Sequence, residues 1–251
     1  MGYRYETHLH TCEVSACGRT HAADYIKFYM DKGYDGIIFT DHFFNGNCGI
    51  DRRLPWERKV DAFCHGYELA KEEGDRVGFP VFFGWEFNIH GDEYLTYGPD
   101  KEWLRAHPEI MRDTRQEYCR RIHEAGGALV QAHPYRERDY LDAIRLNPYF
   151  VDAAEMINIG NEPYQDALAA DYAKKYGLPV TGGTDMHNIA WGQPTSGVET
   201  EQPIRSIQDF VSMLRSGKGF RPIEVENRTG RTEKKTYLPV LLYGKDGAWI
   251  E

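Results

Sequence analysis

An α/β barrel, in which strands and helices alternate around one ring, is the fold the sequence predicts. Three observations predict it. A short apolar strand, a polar turn and an amphipathic helix recur roughly seven times, the signature of βα units and a mostly parallel sheet. No repeat and no low-complexity linker divides the chain, and 251 residues suit one barrel domain of about 250 residues. Residues able to ligate metal fall at the C-terminal ends of the expected strands, the face on which such barrels build their sites. The expected class is therefore α/β, a distorted (β/α)7 TIM-like barrel over 1–220, with 221–251 as a C-terminal appendage packed on or trailing it.

The elements follow in order. Tyr3–Leu9 reads as the first strand. Thr20 or His21 is placed to cap a helix over Ala22–Lys32, whose Tyr25, Ile26, Phe28 and Tyr29 form its apolar side, and Gly33 stops it. Gly36–Thr40 is a buried-type strand. Pro55 opens a helix that runs to about Glu73. Val81–Phe87 is the third strand and Tyr94–Tyr97 the fourth. Asp113 or Thr114 caps a helix to Glu124, and Gly126-Gly127 lead into the strand Ala128–Ala132. Ala153–Ile157, the helix Pro163–Tyr176, the strand Pro179–Thr181 and the helix Ile207–Arg215 complete the barrel.

Composition bounds the function. Apolar residues make up 41% of the chain and aromatic residues 14%, enough to bury a core and to exclude general disorder. A formal charge of −9 argues against a broad face for long nucleic acid, which requires clustered Lys and Arg. It does not exclude anionic substrates, because bound cations invert the local field. The longest apolar run, Tyr237 to Tyr243, is strand-sized and too short to span a membrane. The start MGYRYET lacks a signal peptide, and five cysteines without a CxxC pair give neither a disulfide framework nor a zinc ribbon. A cytoplasmic protein without membrane partners is expected.

The chemistry lies in one positional pattern. Strand one ends in His8-Leu9-His10, and alternation along a strand points both imidazoles the same way. Strand two ends in Asp41-His42, and strand three carries Glu86. Ala128–Ala132 runs into His133-Pro134, and the strand near 180 runs through Gly182-Gly183 into Asp185-Met186-His187. Any one of these reads equally well as a satisfied polar residue, a buried ion pair or a helix cap. Jointly, His8, His10, His42, Glu86, His133, Asp185 and His187 would leave several buried groups unpaired without a cation, which is costly. Together they read as a site for two or three divalent ions.

These segments resemble the ordered motifs of the PHP (polymerase and histidinol phosphatase) superfamily: His8-Leu9-His10-Thr11, Thr40-Asp41-His42, Gly84-Trp85-Glu86, Ala132-His133-Pro134 and Gly183-Thr184-Asp185-Met186-His187. The resemblance runs from about Tyr3 through His187. It implies a stand-alone phosphoesterase with two or three Zn, Mn or Fe ions. His8, His10, Glu86 and Asp185 would hold one ion. Glu86 would bridge to a second shared with His133, and His42 and His187 would belong to a third. Two family positions differ here. No His follows the HxH pair, so Glu13 is the substitute ligand, with Cys17 as second choice. Glu93 stands where a later family His would be, with His90 as competitor.

Ions so held lower the pKa of a bound water and stabilise charge on a phosphoryl group. His187 or a water would protonate the leaving alkoxide, and Asp185 belongs to the same reacting cluster. Arg136, and with less support Arg19, would bind the phosphate of a small phosphorylated substrate; neighbour-paired surface arginines are the competing reading. Two other activities compete with phosphate-ester hydrolysis: metal-dependent cleavage of a C–N or C–O bond, and a catalytically silent module. The first normally wants a metal-bridging Lys, which the interior strand positions lack. His65, His107 and His123, and Cys48, Cys64 and Cys119, read as solvated or packing side chains. Asn158 and Glu155 point toward the same barrel end, as supports of the site or as polar core.

Overall fold

The structure, a computed structural model, describes residues 2–250. Its elements are β1 (Tyr3–Glu6), α1 (Asp24–Asp31), β2 (Gly36–Phe39), α2 (Trp56–Val77), β3 (Val81–Ile89), β4 (Asp92–Tyr97), α3 (Lys101–Ala106), α4 (Arg115–Glu124) and β5 (Ala128–Gln131). They continue with β6 (Ile144–Leu146), β7 (Ala153–Asn158), α5 (Pro163–Tyr176), β8 (Val180–Gly183), β9 (Val198–Thr200), α6 (Ile207–Ser216), β10 (Phe220–Pro222), β11 (Val240–Tyr243) and β12 (Trp249–Ile250). Nine strands form one sheet in the order β10-β9-β1-β2-β3-β4-β5-β7-β8. The ring closes between β8 and β1, where Leu9 bridges Met186 in parallel and Asp185 N–H donates to the His8 carbonyl at 2.8 Å. No helix among the described residues is long and apolar enough to cross a membrane.

Side-chain alternation on β3 shows how the sequence sorts core from site. Phe83, Trp85 and Phe87 face outward into an aromatic layer with Phe43, Phe63 and Tyr118. Phe87 stacks on Tyr118 at 3.8 Å, and Trp85 Nε1 donates to the Tyr118 hydroxyl at 2.8 Å. The intervening residues face the other way: Phe82 joins Tyr5, Ile38, Leu95, Tyr97 and Val130, over which α6 packs Phe210 and Leu214. The period of two therefore delivers Glu86 into the ring. Burying each large side chain contributes about 1.5–3 kcal/mol, so this apolar frame is what holds the polar centre in place.

Several helix boundaries follow local chemistry. Thr114 and Glu117 make a reciprocal capping box at α4, and α2 and α5 end at left-handed Gly78 and Gly177. Other expectations are corrected. Neither Thr20 nor His21 caps α1: the helix starts later, behind Ala23 and without a side-chain cap, while Thr20 Oγ1 accepts from Ile189 N–H at 3.0 Å. β1 stops at Glu6, because the segment to His10 is drawn toward the β8 seam. The fourth strand is real but runs antiparallel between β3 and β5. The segment from 220 onward is expected to pack on the barrel or trail it. β10 pairs with β9 on the main sheet, and β11 pairs in parallel with β6.

Candidate metal centre

The strand ends bring seven donors together. His8 and His10 follow β1, His42 follows β2, Glu86 lies on β3, His133 follows β5, and Asp185 and His187 follow β8. Glu93 on β4 joins them across the ring. His8 Nε2 lies 3.1 Å from His10 Nε2, 3.2 Å from Glu86 Oε1 and 3.5 Å from Asp185 Oδ1. His10 Nε2 lies 3.0 Å from Asp185 Oδ1, and His133 Nε2 lies 3.2 Å from Glu86 Oε1 and 3.4 Å from Glu93 Oε2. Four donor trios overlap: His8, His10 and Asp185; His8, Glu86 and His133; His42, Glu86 and Glu93; and His10, His42 and His187.

These residues fit divalent ions. Donors on a tetrahedral shell of about 2.0–2.1 Å stand about 3.3 Å apart, close to the separations above. His42 Nδ1 and Glu86 Oε2 face each other at 2.5 Å, yet both are buried and neither makes an oriented hydrogen bond. Lone pairs aimed at common points are what a cation would satisfy. Glu86 is shared by two of the trios, one through each oxygen, the position of a bridging carboxylate. His133 and Asp185 also adopt left-handed backbone, at φ 27° and 54°. For non-glycine residues that is strain of the kind held at functional sites.

The charges are mutually compensated. Burial opposes charge on His8, but Glu155 and Asp185 overcome it and hold its pKa well above the usual value. Burial and the neighbouring His42 and His187 charges push His10 well below it. Burial would raise the carboxyl of Glu86, but the His42 charge and the close approach of the His133, His42 and His8 rings keep it well below its ordinary range. Asp185 is likewise depressed against its burial by His8 and Arg136.

A second ring of buried polar groups fixes these donors, and the sequence alone did not show it. Glu155 Oε1 takes His8 Nδ1 at 2.8 Å, while Oε2 accepts from His133 N–H at 3.0 Å and from Asn158 Nδ2 at 2.8 Å. Glu155 is thus a support of the site rather than polar core. Glu6, two residues before His8, accepts from the backbone of Thr7, His8 and Thr184 and from the Tyr29 hydroxyl. Asp41 accepts from Thr11 N–H and Ser15 Oγ, both at 2.6 Å, and Ser15 Oγ lies 3.3 Å from His10 Nδ1. Gly183 has no room for a side chain, since a Cβ there would stand 2.6 Å from His8 Cβ and collide with the Glu155 carboxylate. Replacing Glu155 by Gln is expected to weaken metal binding about 10–100-fold, because an uncharged amide cannot accept both from His8 Nδ1 and from the His133 and Asn158 N–H groups. Chelator-competition titration checks this, and unchanged affinity would return Glu155 to the polar core.

Not every expected residue joins the cluster. Glu13 is corrected as a ligand: its carboxylate turns to His21 Nδ1 at 2.9 Å and to Ala22 N–H at 3.2 Å, in a separate group with Cys12. Cys17 lies beside His187 and His42 instead; burial opposes ionisation of its thiol, but bonds to those rings bring the pKa down to about 6. Glu93 enters the centre and His90 does not; the His90 carbonyl accepts from Arg145. Arg19 is corrected as a phosphate ligand, since its guanidinium bonds the Ala16 and Gly18 carbonyls of its own loop. Arg136 sits at the centre but is largely committed, donating to Asp185 Oδ2 and Asn158 Oδ1, each at 2.5 Å, and to Asn161 Oδ1 at 2.8 Å. It holds a ligand before it holds a substrate.

Comparisons with known proteins bear on the fold. Residues 163–218 match a family model described as PHP-associated. No curated protein sequence matches the chain. Among solved structures, a two-domain protein from Bacteroides vulgatus containing a predicted PHP-like metal-dependent phosphoesterase superposes with TM-score 0.67 at 14% identity, over 93% of this chain and 68% of that one. A candidate metal-dependent phosphoesterase from Bifidobacterium adolescentis gives 0.52 at 16% identity, over 77% and 91%. An amidohydrolase from Chromobacterium violaceum with bound sulfate gives 0.51 at 13%, over 84% and 96%. At these identities the likeness is one of fold.

Proposed function

We propose that this chain, a member of the PHP superfamily by its PHP-associated segment and its shared fold, hydrolyses phosphate esters with two or three divalent ions. The fold neighbours and the His/Glu donor clusters fit a metal-dependent hydrolase in general. What favours a phosphate ester is the cleft beside His133 and Glu93. It is narrow, with a free volume of about 30 Å³, opens to solvent, and is lined by Arg136, Arg138 and Arg145 among others. Arg138 is the notable member: its side-chain hydrogen bond among the described residues goes to the Glu137 carbonyl at 3.1 Å, and burial together with the nearby Arg136 charge lowers its pKa. A guanidinium that makes no salt bridge among the described residues is free to take an anion.

His8, His10 and Asp185 would hold one ion, Glu86 would bridge to another held with His133 and Glu93, and His42 and His187 would complete the set. Ions there would supply an acidified water and neutralise the oxygens of the phosphoryl group. The chain itself does the rest. Arg138 binds and orients the anion. His187 Nδ1 donates to the Asp185 carbonyl at 2.8 Å, so its Nε2 is the nitrogen left to ligate or to give a proton to the departing alkoxide. Trp191, 60% exposed, stacks 6.5 Å from the His187 ring.

The test is element-resolved metal analysis paired with phosphate release from a panel of phosphomonoesters. Two or more equivalents with release support the reading; metal without release transfers it to phosphodiesters or C–N bonds. None of β1–β5, β7 and β8 carries a lysine, which disfavours a carboxylated-lysine centre. Within an active panel, Arg138→Ala is expected to raise KM about tenfold with kcat little changed, the loss of one charge-assisted hydrogen bond of ~1.5 kcal/mol. Steady-state kinetics on the best substrate checks it.

A further inference from the structure

The region beyond β10 is not needed to complete the ring, yet it is tied into the metal centre by an unbroken series of part-buried and buried hydrogen bonds. Arg228 begins the series. Its Nη1 pairs with Asp166 Oδ2, and its Nη2 donates to the carbonyls of Asn158, at 2.9 Å, and Asn161. Asp166 Oδ1 accepts in turn from Asn161 Nδ2 at 2.9 Å and from Asn158 N–H at 3.4 Å. One guanidinium and one carboxylate therefore fix both ends of the turn from Asn158 to Asn161.

Two branches leave that turn for the same donor trio. In the first, the Asn158 and Asn161 side-chain oxygens hold Arg136, which grips Asp185 Oδ2, while Asp185 Oδ1 faces His10. In the second, Asn158 Nδ2 holds Glu155, which orients His8. Gly160 at the middle of the turn permits this closeness, since a Cβ there would stand 2.9 Å from Arg136 Nη2 and 3.1 Å from Asn158 Oδ1. The C-terminal segment also binds the loop that carries Arg136: the Tyr237 and Leu238 N–H groups donate to Glu137 at 2.5 and 3.1 Å, and β11 pairs with β6.

We propose that the C-terminal segment is a working part of the metal centre and that Arg228 is a positioning residue for the ion held by His8, His10 and Asp185. The geometry explains why arginine stands there. A planar fork reaches two carbonyls and a carboxylate at once, and among the described residues of the segment the turn it locks has no other charged partner. Partners outside the ligand shell commonly change metal affinity 10–100-fold. Arg228 acts two bonds further out, so the expected effect lies near the lower end. The proposal rests on the reading that this site holds divalent ions, but it concerns which residues set their affinity.

The test uses the full chain, stripped with chelator and titrated with Co²⁺ by calorimetry and visible absorption. Arg228→Gln is expected to weaken one Co²⁺ equivalent about tenfold and to change the visible band of that ion. Asn161→Ala cuts the same path between Asp166 and Arg136, and it is expected to weaken the same equivalent; it carries the test if Arg228→Gln does not fold. Arg231→Gln is the control. That side chain lies over the Tyr164 and Tyr237 rings and bonds the Lys235 carbonyl, off the path. Wild-type affinity in both path variants overturns the proposal. So does equal weakening in Arg231→Gln, which would make the segment a general stabiliser. A wild-type chain that takes up no Co²⁺ overturns the metal reading itself, and this proposal with it.

Discussion

Glu86→Ala is expected to abolish hydrolysis and to release at least one ion, the largest effect of any single replacement in this chain. Its carboxylate sits among three of the converging imidazoles. One oxygen lies 3.2 Å from both His8 and His133, and the other 2.5 Å from His42. Removing it takes a negative charge from the middle of several imidazoles and strips the bridge between neighbouring ion positions. The loss of activity should exceed the roughly 100-fold typical of an outer partner, and metal analysis should show the stoichiometry falling with it. Glu86→Gln separates charge from shape. It fills the same volume but cannot compensate the same cations, so it should bind metal poorly while melting close to wild type. Full activity with full metal content in either variant would sink the site model.

Asp185→Ala is expected to combine a functional and a structural loss. Its carboxylate serves His10 through Oδ1 and Arg136 through Oδ2, and both members of the Arg136 pair are nearly buried. Deleting one partner of a buried pair leaves the other charge uncompensated, at a cost of about 3–5 kcal/mol. Thermal melting should therefore drop together with metal content and activity. His10→Ala is the useful contrast. It removes a ligand without orphaning Arg136, so it should lose metal and activity with a smaller fall in melting temperature. Equal melting losses in the two variants would mean that Arg136 finds another partner.

Much of this centre was legible in the sequence because it follows from periodicity. The i, i+2 spacing of His8 and His10, and the place of Glu86 between Trp85 and Phe87, fix which way the side chains point once β1 and β3 are recognised. Repetition of metal-type residues at several strand ends then needs only the barrel to bring them together. What was not legible depends on long-range partners. Glu13 and Cys17 lie four residues apart in one loop, and only the path of that loop decides that Cys17 meets His42 and His187 while Glu13 turns to His21 and α1. Arg136 looked like a free cation, because nothing local shows that Asn158, Asn161 and Asp185 consume its donors. Glu6 carried a faint signal, an acid two residues before His8 in an apolar strand. The strands β6, β9, β11 and β12 are too short to announce themselves by pattern, and β4 kept its place but not its direction.

The seam between β8 and β1 also orders events in the life of the chain. His8 and His10 are made well before Asp185 and His187, which close the ring from the far end of the barrel, and Arg228 follows later still. Contacts between such distant parts of a chain form late in folding and slow it. A nascent chain therefore exposes two imidazoles long before it can surround an ion with them. Selective metal uptake is then a step that follows folding rather than one that guides it.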